Sequence, residues 1–268
     1  GGSPPWKWGP FWANVVRLGR ENGIQFGNGL LRATGVKGDK LNLSGKLGDD
    51  RPTVMSVVCA LLGSLRLLDL SANGLGPEEC VTITKALEVN GSLTCLELGM
   101  NDIRDAGGEA IAKALRVNSS LTSLSLRDTS IGAEGGVAIA EALGFNRSLK
   151  ILDLYFNGIG KEGGKAIAKA LRINRSLTSL YISSNKIGPE GGKAVAEALR
   201  WQGSNCSLTN LNLYDNQIGA VGGIAFSEAI KVNGSLTELH LGANKLDQES
   251  GEAIAKALEI NRSLTKLE

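Results

Sequence analysis

The chain has 268 residues, of which 42% are hydrophobic and 21% charged, and its formal net charge is +2. Because basic and acidic residues balance, the composition gives no electrostatic reason to expect a nucleic-acid or membrane partner. No apolar run approaches the roughly 20 residues that a transmembrane helix needs.

The first part of the chain, residues 1–37, differs in kind from the rest. Trp6, Trp8 and Trp12 lie close together, and a short predicted helix over 13–20 leads into a glycine-rich link. The end of a stacked array exposes its core unless an atypical segment covers it. We therefore interpret 1–37 as a Trp/Gly-rich tail and cap; a docking peptide and a processed targeting tail are the alternatives.

From residue 65 onward the sequence repeats itself. The first leucines of successive units are Leu65, Leu93, Leu121, Leu149, Leu177, Leu208, Leu236 and Leu264. The spacing is 28 residues throughout, apart from one spacing of 31 that reflects an insertion in residues 201–206. A fixed period in this range is typical of a solenoid, in which each unit contacts only its neighbours.

Each unit predicts a strand followed by a helix. Leu177, Leu180 and Ile182 alternate with variable residues, whereas Ile167 and Leu171 have helical spacing. Repeated strand–helix units make neighbouring strands parallel. Strands lie about 4.8 Å apart and packed helices about 8–10 Å apart, so the array must curve with its sheet inside. The predicted fold is an α/β right-handed solenoid horseshoe with the parallel sheet on the concave face.

The repeat also sets the predicted organisation of the chain. Residues 38–64 form a degenerate capping repeat, 65–263 form seven full repeats, and 264–268 begin a further, incomplete one. No polar cap follows this last strand, and an unpaired strand edge invites another chain. We expect the natural chain to continue, or self-association or docking to cover this end.

One asparagine follows each predicted strand and predicts a ladder between units. These residues are Asn73, Asn101, Asn157, Asn185, Asn216 and Asn244. A side-chain amide both donates and accepts hydrogen bonds, so stacked asparagines can satisfy the backbone of adjacent turns. The third unit has Thr129 instead, whose single hydroxyl does less, and we predict a weak rung there.

A second set of asparagines ends the helices and creates N-x-S sequences. The set comprises Asn90, Asn118, Asn146, Asn174, Asn233 and Asn261. Glycosylation is one interpretation. We favour a structural one, in which asparagine closes the helix in a left-handed conformation. The cysteines, at 59, 80, 95 and 206, have no disulfide or metal-site spacing, which favours a reducing, cytoplasmic location.

Enzyme signatures are missing from the sequence. The chain has one histidine, His240, and no phosphate-binding loop, dinucleotide motif or nucleophile elbow. We therefore expect a protein that is not an enzyme and that has no catalytic residue, cofactor or metal.

The variable strand positions indicate a binding surface. All three tyrosines, Tyr155, Tyr181 and Tyr214, and the only histidine occur at positions predicted to face the open side of the sheet. Tyrosine is favoured at interfaces, although exposed strand positions also favour it. Acidic residues surround these positions, so the predicted partner is a protein with basic groups. The candidate partner-binding residues are Tyr155, Phe156, Tyr181, Tyr214, His240, Asp153, Asn212, Asp215, Glu238 and Arg127.

Two motifs carry a family resemblance. The segment 208–219 reads L-x-x-L-x-L-x-x-N-x-I-G, and 191–199 reads G-G-x-A-V-A-x-A-L. From about residue 65 to the end, these motifs resemble the leucine-rich repeats of the ribonuclease-inhibitor-like class, in wording closest to the repeats of NOD-like receptors. The resemblance implies a non-catalytic scaffold that binds another protein.

Two alternative functions remain open. The activator of the Ran GTPase carries similar repeats, and that similarity implies regulation of a small GTPase through the strand-to-turn edge near Arg127 and Asp215. The unpaired terminal strand and the tryptophan-rich tail would instead suit a structural subunit docked in a larger assembly.

Overall fold

The computed structural model describes residues 40–45, 65–202 and 207–268. The predicted tail of residues 1–37, most of the predicted capping repeat and residues 203–206 of the insertion lie outside the described residues. Cys59 and Cys206 lie outside them as well.

Strands and helices alternate through the described residues. The strands are β1 Lys40–Asn42, β2 Leu67–Asp69, β3 Cys95–Glu97, β4 Ser123–Ser125, β5 Ile151–Asp153, β6 Ser179–Tyr181, β7 Asn210–Asn212, β8 Glu238–His240 and β9 Lys266–Leu267. The helices are α1 Pro77–Val89, α2 Arg104–Val117, α3 Gly132–Leu143, α4 Gly160–Ile173, α5 Gly188–Gln202, α6 Gly219–Val232 and α7 Gln248–Ile260.

The strands form one open sheet in chain order, and every neighbouring pair is parallel. Leu152 pairs with Leu180, 28 residues later, and Leu180 pairs with Leu211, 31 residues later. The insertion is therefore taken up before β7 and leaves the register of the sheet unchanged. This arrangement confirms the predicted repetitive strand–helix fold.

The core lies between the sheet and the layer of helices. From β2 to β8 the middle residue of each strand is a buried leucine, whereas the two flanking residues are partly or largely exposed. Each helix packs against the next one along the chain. Because all the helices contribute to this single layer, the other face of the sheet stays open, and it is concave because strands stack more closely than helices.

Paired glycines in the first turns of the helices allow this close helix packing. A Cβ atom at Gly108 in α2 would lie only 2.9 Å from the Cα atom of Gly135 in α3. At Gly164 in α4 the same atom would lie 3.2 Å from the Cα atom of Gly191 in α5. Neighbouring helices therefore touch backbone to backbone at these points, and a larger residue would push the units apart.

The asparagines after the strands join neighbouring units through their side chains. Asn101 Oδ1 accepts hydrogen bonds from the N–H groups of Asn73 and Leu75, both at 3.0 Å. Its Nδ2 donates to the carbonyl groups of Leu70 at 3.1 Å and Leu98 at 2.7 Å. Equivalent bonds occur at Asn157, Asn185, Asn216 and Asn244. Each of these side chains is buried, so the bonds are protected from water.

Thr129 makes fewer bonds at the same position. Its hydroxyl lies 2.7 Å from the carbonyl oxygen of Leu126 and 2.9 Å from Asn157 Oδ1, and its one proton serves one of them at a time. Asn101 and Ile103 occupy the positions that Asn73 and Leu75 have one unit earlier. Their N–H groups have no side-chain acceptor among the described residues. This junction therefore has fewer bonds than its neighbours.

We expect Thr129→Asn to raise the free energy of unfolding by about 1 kcal/mol, because an amide at this position supplies the missing acceptor. Urea denaturation measures the change. Amide hydrogen exchange at residues 101–103 and in the 121–145 unit should slow in the variant.

The matched control is Asn157→Thr, which removes the acceptor for the N–H groups of Thr129 and Ile131. It should lower the free energy of unfolding by about 1–3 kcal/mol. Equal amide hydrogen-exchange rates at residues 101–103 and 73–75 in the unsubstituted chain would contradict the prediction of a weak rung at Thr129.

Candidate functional site on the concave face

The strand register places four predicted site residues side by side on the concave face. Asp153 of β5 pairs with Tyr181 of β6, which pairs with Asn212 of β7, which pairs with His240 of β8. Adjacent strands lie about 4.8 Å apart, so this row is only about 15 Å long. The residues are partly exposed. The row is compact enough to contact one partner surface.

A second cluster lies two residues further along β4 and β5. The guanidinium carbon of Arg127 lies 4.2 Å from the centre of the Tyr155 ring, in a cation–π contact. The rings of Tyr155 and Phe156 have centres 6.0 Å apart and are tilted by 32°. These three residues, which we call the Arg127 cluster, join two units through side chains on the open side of the sheet.

Phe156 has an unusual backbone conformation for a large residue. Its φ is +54°, in the left-handed region, and its side chain is 55% exposed. Every described unit has a left-handed residue here, and the others are Ala72, Met100, Asp128, Ser184, Asp215 and Ala243. The turn therefore requires the conformation but not a ring. A non-glycine residue in this region costs about 1 kcal/mol, and an exposed ring recovers little of that within the chain.

Tyr214 extends the surface toward the C-terminal end of the sheet. A Cβ atom at Gly242 would lie 3.0 Å from Cδ2 of Tyr214, so the ring lies over this glycine of the next unit. Half of the Tyr214 side chain remains exposed. The glycine therefore makes room for the ring, and the aromatic residues extend over the sheet from β5 to the end of β8.

Two side chains in the first row fix the backbone that carries the tyrosines. Asp153 Oδ1 accepts from the Tyr155 N–H group at 2.8 Å, and Asn212 Oδ1 accepts from the Tyr214 N–H group at 3.0 Å. Burial raises the pKa of Asp153, and the Tyr155 hydrogen bond and the Arg127 charge only partly oppose this effect. The same geometry is thus built once with a carboxylate and once with a neutral amide.

Acidic groups lie on the concave face around these residues. Asp69 accepts hydrogen bonds from the Ser71 N–H group at 3.0 Å and from Asn42 Nδ2 at 2.7 Å. Asp215 is exposed and accepts from the Ser184 hydroxyl at 3.2 Å. Glu97 and Cys95 sit side by side on β3, and burial followed by the Glu97 charge raises the pKa of Cys95 to about 11. Carboxyl groups therefore lie on the concave face both before the aromatic residues, at Asp69 and Glu97, and beside them, at Asp215.

His240 lies within a cluster of charged residues. Its Nε2 atom is 2.7 Å from Glu238 Oε1, and its Nδ1 atom is 2.8 Å from Glu268 Oε2. Lys266 Nζ lies 2.7 Å from Glu238 Oε1 and 3.1 Å from Glu268 Oε1. The pKa of each of these two carboxyl groups is lowered by Lys266 first and then by His240. Both ring nitrogens of His240 are thus engaged inside the chain.

The part of the chain that the structure describes contains no group of three or more His, Cys, Asp or Glu residues arranged to hold a metal ion. Within the same part, the helices are too short or too polar for any of them to cross a membrane.

The prediction of left-handed helix-ending asparagines is wrong. Asn118 has φ −71° and ψ 130°, which is extended, and Asn90, Asn174, Asn233 and Asn261 are also extended. Asn118 Nδ2 donates to the carbonyl groups of Leu87 at 2.8 Å and Asn90 at 3.0 Å. Its Oδ1 accepts from the N–H groups of Ser120 and Leu121. The backbone is extended here because that conformation lets the side-chain amide of the asparagine reach the carbonyl groups of the previous unit.

These asparagines form a second ladder that the sequence analysis missed. Asn146, Asn174 and Asn261 repeat the bonds of Asn118 to the preceding unit. A glycan on Nδ2 would break these bonds, so the N-x-S sequences have a structural explanation. The signal was present in the 28-residue recurrence of N-x-S, which matches that of the first ladder.

A family model described as Leucine Rich repeat matches six segments that together cover just over half of the chain, at residues 89–112, 117–140, 145–168, 174–196, 204–227 and 232–255. No curated protein matches the sequence significantly.

One of the matching solved structures has a TM-score above 0.5. The leucine-rich repeat-containing protein LegL7 from Legionella pneumophila has a TM-score of 0.53 at 18% identity, with 90% of this chain and 87% of that chain covered. The tropomodulin C-terminal domain from Caenorhabditis elegans has a TM-score of 0.48 at 19% identity, with 57% and 92% covered. Leiomodin-1 actin-binding site 2 has a TM-score of 0.38 at 17% identity, with 80% and 90% covered. At these identities the likeness to LegL7 extends to the fold alone.

We expect Asp153→Asn to keep the turn at Tyr155 and to raise stability at pH 7, because the amide still accepts the Tyr155 N–H group and carries no charge. The gain stays within about 1 kcal/mol, since the carboxylate keeps part of its contact with water. A raised pKa means that the folded chain holds the Asp153 proton more tightly than the unfolded chain. The gain should therefore vanish below about pH 4, near the unfolded pKa of aspartate.

The reverse substitution, Asn212→Asp, is the matched control. It should lower stability at pH 7 and restore it as the pH falls toward about 4. Urea denaturation of both variants at several pH values checks this expectation, and a pH-independent difference for Asp153→Asn would contradict it.

Proposed function

Because the chain belongs to the leucine-rich repeat family, we propose that it is a non-catalytic scaffold that binds a partner protein on the concave face of its sheet. The observation that carries the proposal is the Arg127 cluster with its exposed Phe156 ring. A large ring in a left-handed conformation and in contact with water brings little to the fold. A partner that covered it would supply the missing burial.

The composition of the surface supports a protein partner. Interface residues that contribute most to binding are commonly Tyr, Trp and Arg. The concave face carries Tyr155, Tyr181 and Tyr214, with Arg127 beside the first. The two ladders hold each unit against the next, so these side chains are already in place before binding and little ordering entropy is lost.

The charges of the face support a partner with basic groups. Asp69 and Glu97 occupy the same register position in adjacent strands, and Asp153 occupies it two strands later. A Lys or Arg side chain placed along this row would meet two carboxylates at once. Such complementarity accelerates association and makes binding weaken as salt rises.

We further propose that the repeats belong to the ribonuclease-inhibitor-like class and resemble those of NOD-like receptors. The helices α1 to α7 support this assignment, because they are 12 to 15 residues long and occur once per unit.

A cytoplasmic location is part of the proposal. Cys80 and Cys95 are free thiols, and burial raises the pKa of Cys80 to about 12, which suits an unreactive core residue. The N-x-S asparagines serve the second ladder, which removes the main sequence argument for secretion.

Site-specific photo-crosslinking tests the concave face. A photoreactive phenylalanine analogue at Tyr181 should give a partner adduct in a lysate of the cells that make the protein. The same analogue at Lys113, which is exposed on α2, should give about tenfold less. Equal yields at the two positions would place the partner elsewhere.

A matched pair of variants isolates the ring of Phe156. Phe156 and Met100 occupy equivalent left-handed positions, at φ +54° and +57°, and each is 55% exposed. Phe156→Ala should reduce the Tyr181 adduct by about tenfold, as expected for a hot-spot residue, whereas Met100→Ala should leave it unchanged. Similar losses from both variants would argue against the Arg127 cluster as the centre of the site.

A further inference from the structure

A row of exposed apolar side chains follows the C-terminal ends of the helices, on the edge where each helix leads into the next strand. It comprises Val89, Val117, Phe145, Ile173, Trp201, Val232 and Ile260. All seven are more than half exposed, and they make up more than half of the large apolar side chains that are exposed in the described residues. We call this row the C-terminal ridge.

Hydrogen bonds, rather than these apolar side chains, join the units at the helix ends. The structural work at the helix ends is done by the neighbouring buried asparagines, such as Asn118 and Asn174, which bond the preceding unit. A polar residue at the ridge position would leave those bonds in place. Soluble proteins rarely expose long contiguous apolar surface, and such surface usually marks an interaction site.

The ridge is continuous because it follows the stacked helices. Packed helices lie about 8–10 Å apart, so seven helix ends span roughly 50–60 Å. The largest side chains, Phe145 and Trp201, lie on either side of Ile173 near the middle of the row. The middle of the ridge is therefore its broadest apolar part.

Basic residues flank this middle part. The guanidinium carbon of Arg116 lies 4.8 Å from the centre of the Phe145 ring, and that of Arg172 lies 5.9 Å from the Trp201 ring. The exposed arginines along this part of the edge are Arg116, Arg147, Arg172, Arg175 and Arg200.

The arginines exceed what the helix ends require. Each helix C-terminus carries about half a negative charge, so the ends of α2, α3, α4 and α5, where these arginines lie, account for about two. Arg147 and Arg175 donate to carbonyl oxygens there, and Arg116 also lies 3.4 Å from Glu141. Five positive charges remain more than the local negative charges, so the centre of the ridge is basic as well as apolar.

We propose that the C-terminal ridge is a second binding surface, which takes an acidic segment of a partner protein with apolar side chains at regular spacing. A segment in the polyproline II conformation rises about 3.1 Å per residue with three residues per turn, so every third residue lies on the same face and meets a successive ridge side chain. Acidic residues between them would face the arginines. A second copy of the ridge does not fit, because two basic surfaces repel.

This surface is distinct from the concave face. The proposed partner groups there are basic, whereas those at the ridge are acidic, and the two rows lie on different sides of each unit. The two proposals are therefore independent, and substitutions on one surface should not affect binding at the other.

A phage-displayed library of random 12-residue peptides, selected on the full chain, tests the ridge. We expect enrichment of Asp and Glu together with apolar residues about three positions apart. Enriched peptides should bind Phe145→Ser/Trp201→Ser at least tenfold more weakly by fluorescence polarisation, and Tyr155→Ala/Tyr214→Ala as tightly as the unsubstituted chain.

Charge reversal gives an independent measure. Arg172→Glu/Arg200→Glu should abolish binding of the enriched peptides, and Lys186→Glu, at the opposite edge, should not. Thermal unfolding of each variant verifies that the chain is folded.

Peptides that bind without dependence on the ridge would overturn the proposal, as would the absence of enrichment. Sedimentation with vesicles of phosphatidylserine and phosphatidylcholine tests whether the ridge binds anionic lipid instead. Ridge-dependent vesicle binding without ridge-dependent peptide binding would assign the surface to anionic lipid and overturn the acidic-segment proposal.

Discussion

The need to satisfy backbone hydrogen-bonding groups between units governs this structure. A three-residue strand pairs with its neighbours through few backbone bonds, and the turns on either side of it would leave N–H and carbonyl groups buried without partners. Asparagine solves this problem at both ends of the strand. Asn101 and its equivalents bond the turn that enters the helix, and Asn118 and its equivalents bond the turn that leaves it. Where both asparagines are present, a unit is thereby locked to the one before it at two points.

This locking explains why side chains elsewhere are free to vary. The buried strand leucines and the glycine pairs in the helices set the spacing of the units, and the asparagines set their alignment. The outward strand positions and the last residues of the helices set neither the spacing nor the alignment of the units. Rows of unrelated residues can therefore appear there, such as Asp153, Tyr181 and Asn212 in one register position. In such a fold, the binding surface is formed by residues at the same position in successive units rather than by the residues of a single unit.

Much of this architecture was predictable because its causes recur every 28 residues. The leucine spacing predicted the strands, and the asparagine after each strand predicted the first ladder's position. The backbone conformation of the helix-ending asparagines was harder to predict. Asn118 is compatible with both a left-handed and an extended backbone, and only contacts with the neighbouring unit decide between them. The hydrogen bond between His240 and Glu268 could have been anticipated from their 28-residue separation, but the two side chains meet only when the strands are in register. Exposure of Val117 depends on how neighbouring helices cover it, which no spacing reveals.

The two surfaces proposed here differ in how they tolerate change. On the concave face, Tyr155 depends on the Asp153 bond to its backbone and on the Arg127 side chain above its ring, so substitution at one position alters its neighbours. At the helix ends, each apolar side chain projects from a backbone that Asn118 or Asn174 already holds, and adjacent residues interact mainly through a covering arginine. Single substitutions at the concave face should therefore be strongly coupled to one another, whereas those along the helix ends should add nearly independently.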